Sequence, residues 1–113
     1  MHELWLSKNI IEIVLQSAAG RRQKRVKKIS LEIGALAAVE PSALAFSFTV
    51  AARNTIANGA ILEIISVPGK ARCESCGKTV NISQYSDACD DCGGYALTVI
   101  QGEELRVKSM EAE

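Results

Sequence analysis

Four cysteines fall in two pairs, Cys73-Glu74-Ser75-Cys76 and Cys89-Asp90-Asp91-Cys92, with twelve residues between the pairs. Two thiolates at this spacing can share one tetrahedral metal ion, and two such pairs fill four positions. Gly77 follows the first pair and Gly93-Gly94 the second. Glycine at these places permits the left-handed backbone that turns amide N–H groups toward the sulfurs. Four sulfurs leave no open coordination position, so the expected ion is a structural Zn²⁺ and not a catalytic one. Disulfides are the plain alternative, disfavoured by the thiol-reducing cytoplasm expected for this chain. A thioredoxin-like redox pair fits less well still, because neither C-x-x-C opens a helix after a strand.

The second candidate is the start of the chain, Met1-His2-Glu3, which holds its sole histidine. A free terminal amine, the backbone nitrogen of residue 2 and the His2 imidazole can form fused chelate rings around one ion. Nitrogen-rich, planar ligation of this kind suits Ni(II) or Cu(II). The carboxylates of Glu3 or Glu40 could complete the sphere. From the residues alone, an incidental exposed His2 is the favoured reading, because three residues make a weak motif.

The elements that must position these groups can be read from periodicity. Residues 4–19 form an amphipathic helix with Leu4, Ile11, Val14 or Leu15, and Ala18 on one face, ended by Gly20. A basic run follows, Arg21, Arg22, Lys24, Arg25, Lys27 and Lys28, which is six of the 13 basic residues. Ile29, Leu31 and Ile33 alternate with Lys28, Ser30 and Glu32, a strand pattern that Gly34 ends. Pro41 in Glu40-Pro41-Ser42 sits at the first turn of a second helix with Leu44, Phe48, Ala51 and Ala52 as its buried stripe. Residues 61–67 are apolar on both faces, which predicts a central strand, broken by Pro68-Gly69. Residues 105–109 alternate again and predict a last strand. Thr79, Val80 and Ile82 form one strand of a zinc ribbon, and Tyr95, Leu97 and Val99 its partner.

The expected fold is therefore α+β, a small mixed sheet with two helices and an inserted zinc-ribbon domain of rubredoxin-like knuckle type. The expected division is residues 1–68 plus 101–113 as the α/β domain and 69–100 as the ribbon. With little apolar content, the ribbon is expected to need its metal to fold.

Composition narrows the function. The 113 residues hold 13 Lys+Arg against 13 Asp+Glu, a formal net charge of zero. That balance, with aromatics at 4%, argues against a chain built to grip nucleic acid or an anionic membrane. A nucleic-acid-binding zinc ribbon stays as the alternative because of the basic run. Nothing reads as a membrane span or signal peptide. An enzyme is not expected, because no nucleophile–histidine–carboxylate set, Gly-rich phosphate loop or open metal site is present.

Several segments together resemble one family. These are Met1-His2-Glu3, Leu31-Glu32-Ile33-Gly34-Ala35-Leu36, Val39-Glu40-Pro41-Ser42-Ala43-Leu44, the paired C-x-x-C, and Leu105-Arg106-Val107-Lys108-Ser109-Met110-Glu111. They are similar, in order and over essentially the whole chain, to the HypA/HybF nickel metallochaperones of [NiFe]-hydrogenase maturation. The resemblance implies nickel as transient cargo, bound at the N-terminus through His2 and its backbone with Glu3 involved, and zinc at Cys73, Cys76, Cys89 and Cys92. It also implies two partners, a HypB-type nickel GTPase and the hydrogenase large-subunit precursor, with urease served by some members. The family often has a histidine beside its second C-x-x-C. Here Cys92 is followed by Gly93-Gly94, which leaves four cysteines as the zinc set.

Overall fold

A computed structural model describes residues 2–113, with side chains from Glu3 onward. The elements in chain order are α1 (His2–Gly20), β1 (Val26–Gly34), α2 (Pro41–Ala51), β2 (Ile61–Val67), β3 (Gly69–Cys73), β4 (Thr79–Ile82), β5 (Leu97–Gln101) and β6 (Leu105–Ala112). Two three-stranded sheets result, ordered β2-β1-β6 and β4-β3-β5. The α+β class and the separate cysteine-bearing sheet are as the sequence predicts. Among the described residues, no helix is long and apolar enough to cross a membrane.

The chain divides into two compact units, one of Met1–Leu31, Val39–Ile64 and Val107–Glu113, the other of Glu32–Ala38 and Ile65–Arg106. In the first, α1 packs on α2. The buried face of α1 is Ser7, Ile10, Ile11, Val14 and Ala18, at the spacing of one helical stripe. Ser7 is fully buried, and its hydroxyl donates to the Leu44 carbonyl of α2 at 3.4 Å. A small side chain there lets the helix backbones approach, and the hydrogen bond offsets the cost of burying a hydroxyl. Leu4, read from the sequence as part of the stripe, is instead 41% exposed. On α2, Leu44 and Phe48 are buried and Ala52 at its C-cap with them, while Ala51 is only half-buried. Val26, Ile29 and Leu31 of β1 complete this core.

The sequence places residues 61–67 in the centre of a sheet, and the structure corrects this. β1 is the central strand and β2 lies at an edge, with Ile61 66% exposed. Lys28, Ser30 and Glu32 of β1 are compatible with its central place because each meets a cross-strand partner, while Lys27 is exposed. Ser30 Oγ donates to Glu63 Oε1 at 2.8 Å, and Lys28 Nζ pairs with Glu63 at 3.3 Å. In the second unit Arg106 Nε donates to Glu32 Oε1 at 2.7 Å.

The second unit has its own small core of Leu36, Ala71, Cys73, Val80, Ile82 and Cys89, with Leu97 and Val99 against it. Here too the strand pairing differs from the reading of the sequence. β5 does not pair with β4. Both flank β3 antiparallel, in registers that include Ala71↔Val80 and Ala71↔Val99. β3 starts at Gly69, immediately past Pro68, where the sequence shows only a break. A side chain at Gly69 would meet the Ile82 carbonyl, so the Pro68-Gly69 signal marks close backbone approach as well as a turn.

Candidate metal centre

The two C-x-x-C segments fold into the same local shape. After the first, Gly77 N–H returns to the Cys73 carbonyl at 2.7 Å, and Cys73 N–H donates to the Lys78 carbonyl at 2.8 Å. After the second, Gly93 N–H returns to the Cys89 carbonyl at 2.8 Å, and Cys89 N–H donates to the Gly94 carbonyl at 2.7 Å. Gly77 and Gly93 both have φ of 77°, the left-handed conformation that closes each turn at no steric cost. Cys73 comes from the end of β3, so the first knuckle is anchored in the sheet. The second is joined to the first by the Lys78–Asp91 ion pair at 3.0 Å.

These turns bring the four Sγ atoms within 4.8 Å of one another. The shortest separations run between knuckles, 3.6 Å for Cys73–Cys92 and 3.8 Å for Cys76–Cys89. Sulfurs held at about 2.3 Å from a tetrahedral Zn²⁺ lie about 3.8 Å apart, so the four fit such an ion with little movement. A disulfide requires about 2.0 Å, and all four cysteines are free thiols. Cys73 and Cys89 are buried, Cys76 and Cys92 exposed, so the cluster sits at the rim of the small core.

The electrostatics of the cluster favour a cation. The backbone N–H of Cys76, and then that of Ser75, holds the Cys73 thiol down at about 7, against a burial cost that raises it. Cys92 receives a lowering hydrogen bond from Gly94 N–H, but the neighbouring Cys73 and Cys89 sulfurs outweigh it and push the thiol up to about 12. A thiolate is supported at Cys73, whereas neighbouring sulfurs oppose one at Cys76 and at Cys92. All four ionise together only around a positive ion, which is the demand a four-sulfur metal site makes.

The N-terminal candidates are placed differently. Met1 and the His2 side chain lie outside the described residues. Glu3, in the first turn of α1, is half-buried and lines a cavity of about 450 Å³ with Leu4, Ala43, Phe46, Ser47 and Val50. Glu40 is the N-cap of α2, and its Oε2 accepts from Ala43 N–H at 2.6 Å. The capping role was not read from the sequence, although a carboxylate just before Pro at the first helical position signals it.

Residues 1–112 match the family model described as hydrogenase/urease nickel incorporation, metallochaperone, HypA. The hydrogenase maturation factor HypA of Legionella pneumophila strain Lens is 53% identical over 113 residues, the full length of both chains. The protein of the same description from Azotobacter chroococcum mcd 1 is 48% identical, again over the full length of both. Among solved structures, the solution structure of the Ni metallochaperone HypA from Helicobacter pylori aligns with a TM-score of 0.71 at 21% identity, covering 99% of this chain and 97% of that one. A second solution structure, of a HypA protein, aligns with a TM-score of 0.73 at 21% identity, covering 100% of this chain and 97% of that one. The two solution structures support the fold, and the family model and sequence relatives settle a non-enzymatic metal carrier over a nucleic-acid-binding ribbon. The chain belongs to the HypA family of metallochaperones, which serve nickel incorporation in hydrogenase and urease maturation.

Proposed function

We propose that the cargo Ni(II) is bound at the N-terminal end of α1, with the His2 imidazole as anchoring donor and the adjacent backbone nitrogens recruited beside it. Glu3 and Glu40 supply carboxylates, and the Met1 amine is the remaining nitrogen donor. The observation that carries this reading is that α1 begins at His2, the sole histidine. The first N–H groups of a helix have no acceptor within it, so the backbone nitrogens at the start of α1 are not committed to the helix ladder. Two further observations support the carboxylates. Glu3 and Ala43 line the same cavity, and Ala43 N–H holds Glu40 by one oxygen, leaving Oε1 for another ligand.

Zinc at Cys73, Cys76, Cys89 and Cys92 has the structural role, because a filled four-sulfur sphere has no place for incoming cargo. Nickel goes to the [NiFe]-hydrogenase large-subunit precursor, with a HypB-type nickel GTPase as the partner in transfer. A site made of a few donors at a chain end suits this task, because a competing ligand set can take the ion one donor at a time.

The test is calorimetric titration of Ni(II) into zinc-loaded wild type, His2→Ala and a form with residues added before Met1. Affinity should collapse in His2→Ala, and unchanged affinity and stoichiometry there would overturn the assignment. In the extended form weaker binding identifies the amine as a ligand, whereas equal binding assigns the site to His2, Glu3 and Glu40 alone.

A further inference from the structure

The basic run after α1 has no part in either metal site. Its surroundings give it one. The second half of α1 and the middle of β6 wall a surface cavity of about 430 Å³. It is lined by Ile13, Val14, Val107 and Met110, by Ser17 and Ser109, and by Arg21 and Lys108. Ile13 is 55% exposed, an apolar side chain held at the surface beside the cavity. The acidic residues of the same two elements, Glu3, Glu12 and Glu111, do not line it.

Three properties define what would fit. The first is charge. Among the described residues, the side chains of Arg21, Arg22, Lys24, Arg25, Lys27 and Lys108 make no ion pair, whereas Lys28 is paired with Glu63. These cations lie on the connection from α1 to β1, at the start of β1 and on β6, with the Glu113 carbonyl accepting from Lys24 and Arg25 N–H and Glu63 within electrostatic reach of Lys108, while the chain as a whole is neutral. The second is backbone. β6 is an edge strand of the β2-β1-β6 sheet, so its outer N–H and C=O groups have no strand partner there. The third is the mixed lining, in which Ile13, Val14, Val107 and Met110 reward hydrophobic side chains and no aromatic residue offers a platform for bases.

We propose that this cavity and the β6 edge beside it dock an extended, carboxylate-rich segment of a partner protein, with apolar side chains alternating between its acids. An added strand would satisfy the edge, its acids would meet Arg21, Lys108 and the basic connection, and alternate side chains would enter the cavity. A second copy of this chain is a poor occupant, because it would set Lys108 and its neighbours against the same cations. The site lies toward the C-terminal end of α1. A helix of this length spans about 28 Å, so a partner held here leaves the N-terminal end uncovered. The inference does not depend on the nickel ligands, and its test is done without nickel.

The probe is a fluorescein-labelled peptide of five Glu-Leu repeats, titrated by anisotropy against the full zinc-loaded chain. A Lys-Leu counterpart and a single-stranded RNA decamer are titrated in parallel. The acidic peptide should bind best, weaken as salt rises, and shift the amide resonances of Ser17, Val107 and Ser109. Arg21→Glu with Lys108→Glu should weaken it roughly tenfold or more, and Ile13→Ser several-fold. Arg53→Glu, an exposed reversal away from the cavity, should leave it unchanged. Equal binding of the basic peptide, tighter binding of the RNA, or unchanged affinity in the double reversal would overturn the proposal.

Discussion

Gly34 at the end of β1 lies so close to the Gly102 carbonyl that a β-carbon on Gly34 would overlap it. Two hydrogen bonds fix the approach. Gly34 N–H donates to the Glu104 carbonyl at 2.7 Å, and Leu36 N–H donates to the Gly102 carbonyl at 2.8 Å. Gly102 itself has φ of 116°, open to glycine and strained for other residues. Both partners are backbone, so neither can swing aside. Gly34→Ala should therefore cost on the order of 1–3 kcal/mol, as overpacking does in a tight interior. Urea unfolding of the zinc-loaded protein checks this, with Gly20→Ala as the control, because nothing lies near a β-carbon at Gly20.

Removing the metal should unfold the β4-β3-β5 sheet and spare the helices and β1. The β4-β3-β5 sheet is closed by a core of few residues, two of which are Cys73 and Cys89. Without the cation, thiols at 3.6–3.8 Å cannot all ionise and hold the knuckles together. Chelation of zinc, or Cys89→Ser, should collapse the amide dispersion of residues 69–101 while residues 1–68 keep theirs. X-ray absorption on the loaded protein should show four sulfurs at about 2.3 Å and one Zn²⁺ per chain.

The four-cysteine centre was legible in the sequence because its geometry is local. Each C-x-x-C-G segment makes its own turn, and only the meeting of the two turns depends on the rest of the chain. The strand neighbours were less legible because they are non-local. The apolar faces of residues 61–67 predict burial, yet β1 holds the central place, since Glu63 and Arg106 neutralise its polar positions from either side. An alternating Lys28, Ser30, Glu32 reads as a solvent face until those partners are known. Ser7 was illegible for the same reason. A serine in an apolar stripe signals nothing alone, and its value comes from the Leu44 carbonyl on another helix.

Acid stability should report the Glu63 pair. The hydrogen bond from Ser30, and then that from Lys28, holds the Glu63 carboxyl below the ordinary glutamate range. A depressed folded pKa contributes stability that is full above the unfolded value, about 4.3, and is lost as pH falls through the lower folded value. Wild type should thus exceed Glu63→Gln in urea midpoint at pH 7, and the gap should narrow below the ordinary glutamate range. A gap independent of pH would mean that packing, and not the carboxylate charge, sets the difference.

Glu40 is asked to do two things, and variants can separate them. Its Oε2 caps α2 through Ala43 N–H at 2.6 Å, next to Pro41 at the first helical turn. Loss of a side-chain cap costs about 1 kcal/mol, so Glu40→Ala should lower the stability of the nickel-free protein by that order. Glu40→Gln keeps an oxygen that can accept the same bond and should retain most of that stability. Toward nickel the two variants should behave alike, because neither offers a carboxylate oxygen to complete the sphere. Several-fold weaker Ni(II) binding in Glu40→Gln at near wild-type stability would identify the free oxygen of Glu40 as a ligand. Wild-type affinity in Glu40→Gln would confine Glu40 to the cap and leave His2 and Glu3 as the side chains that hold the cargo.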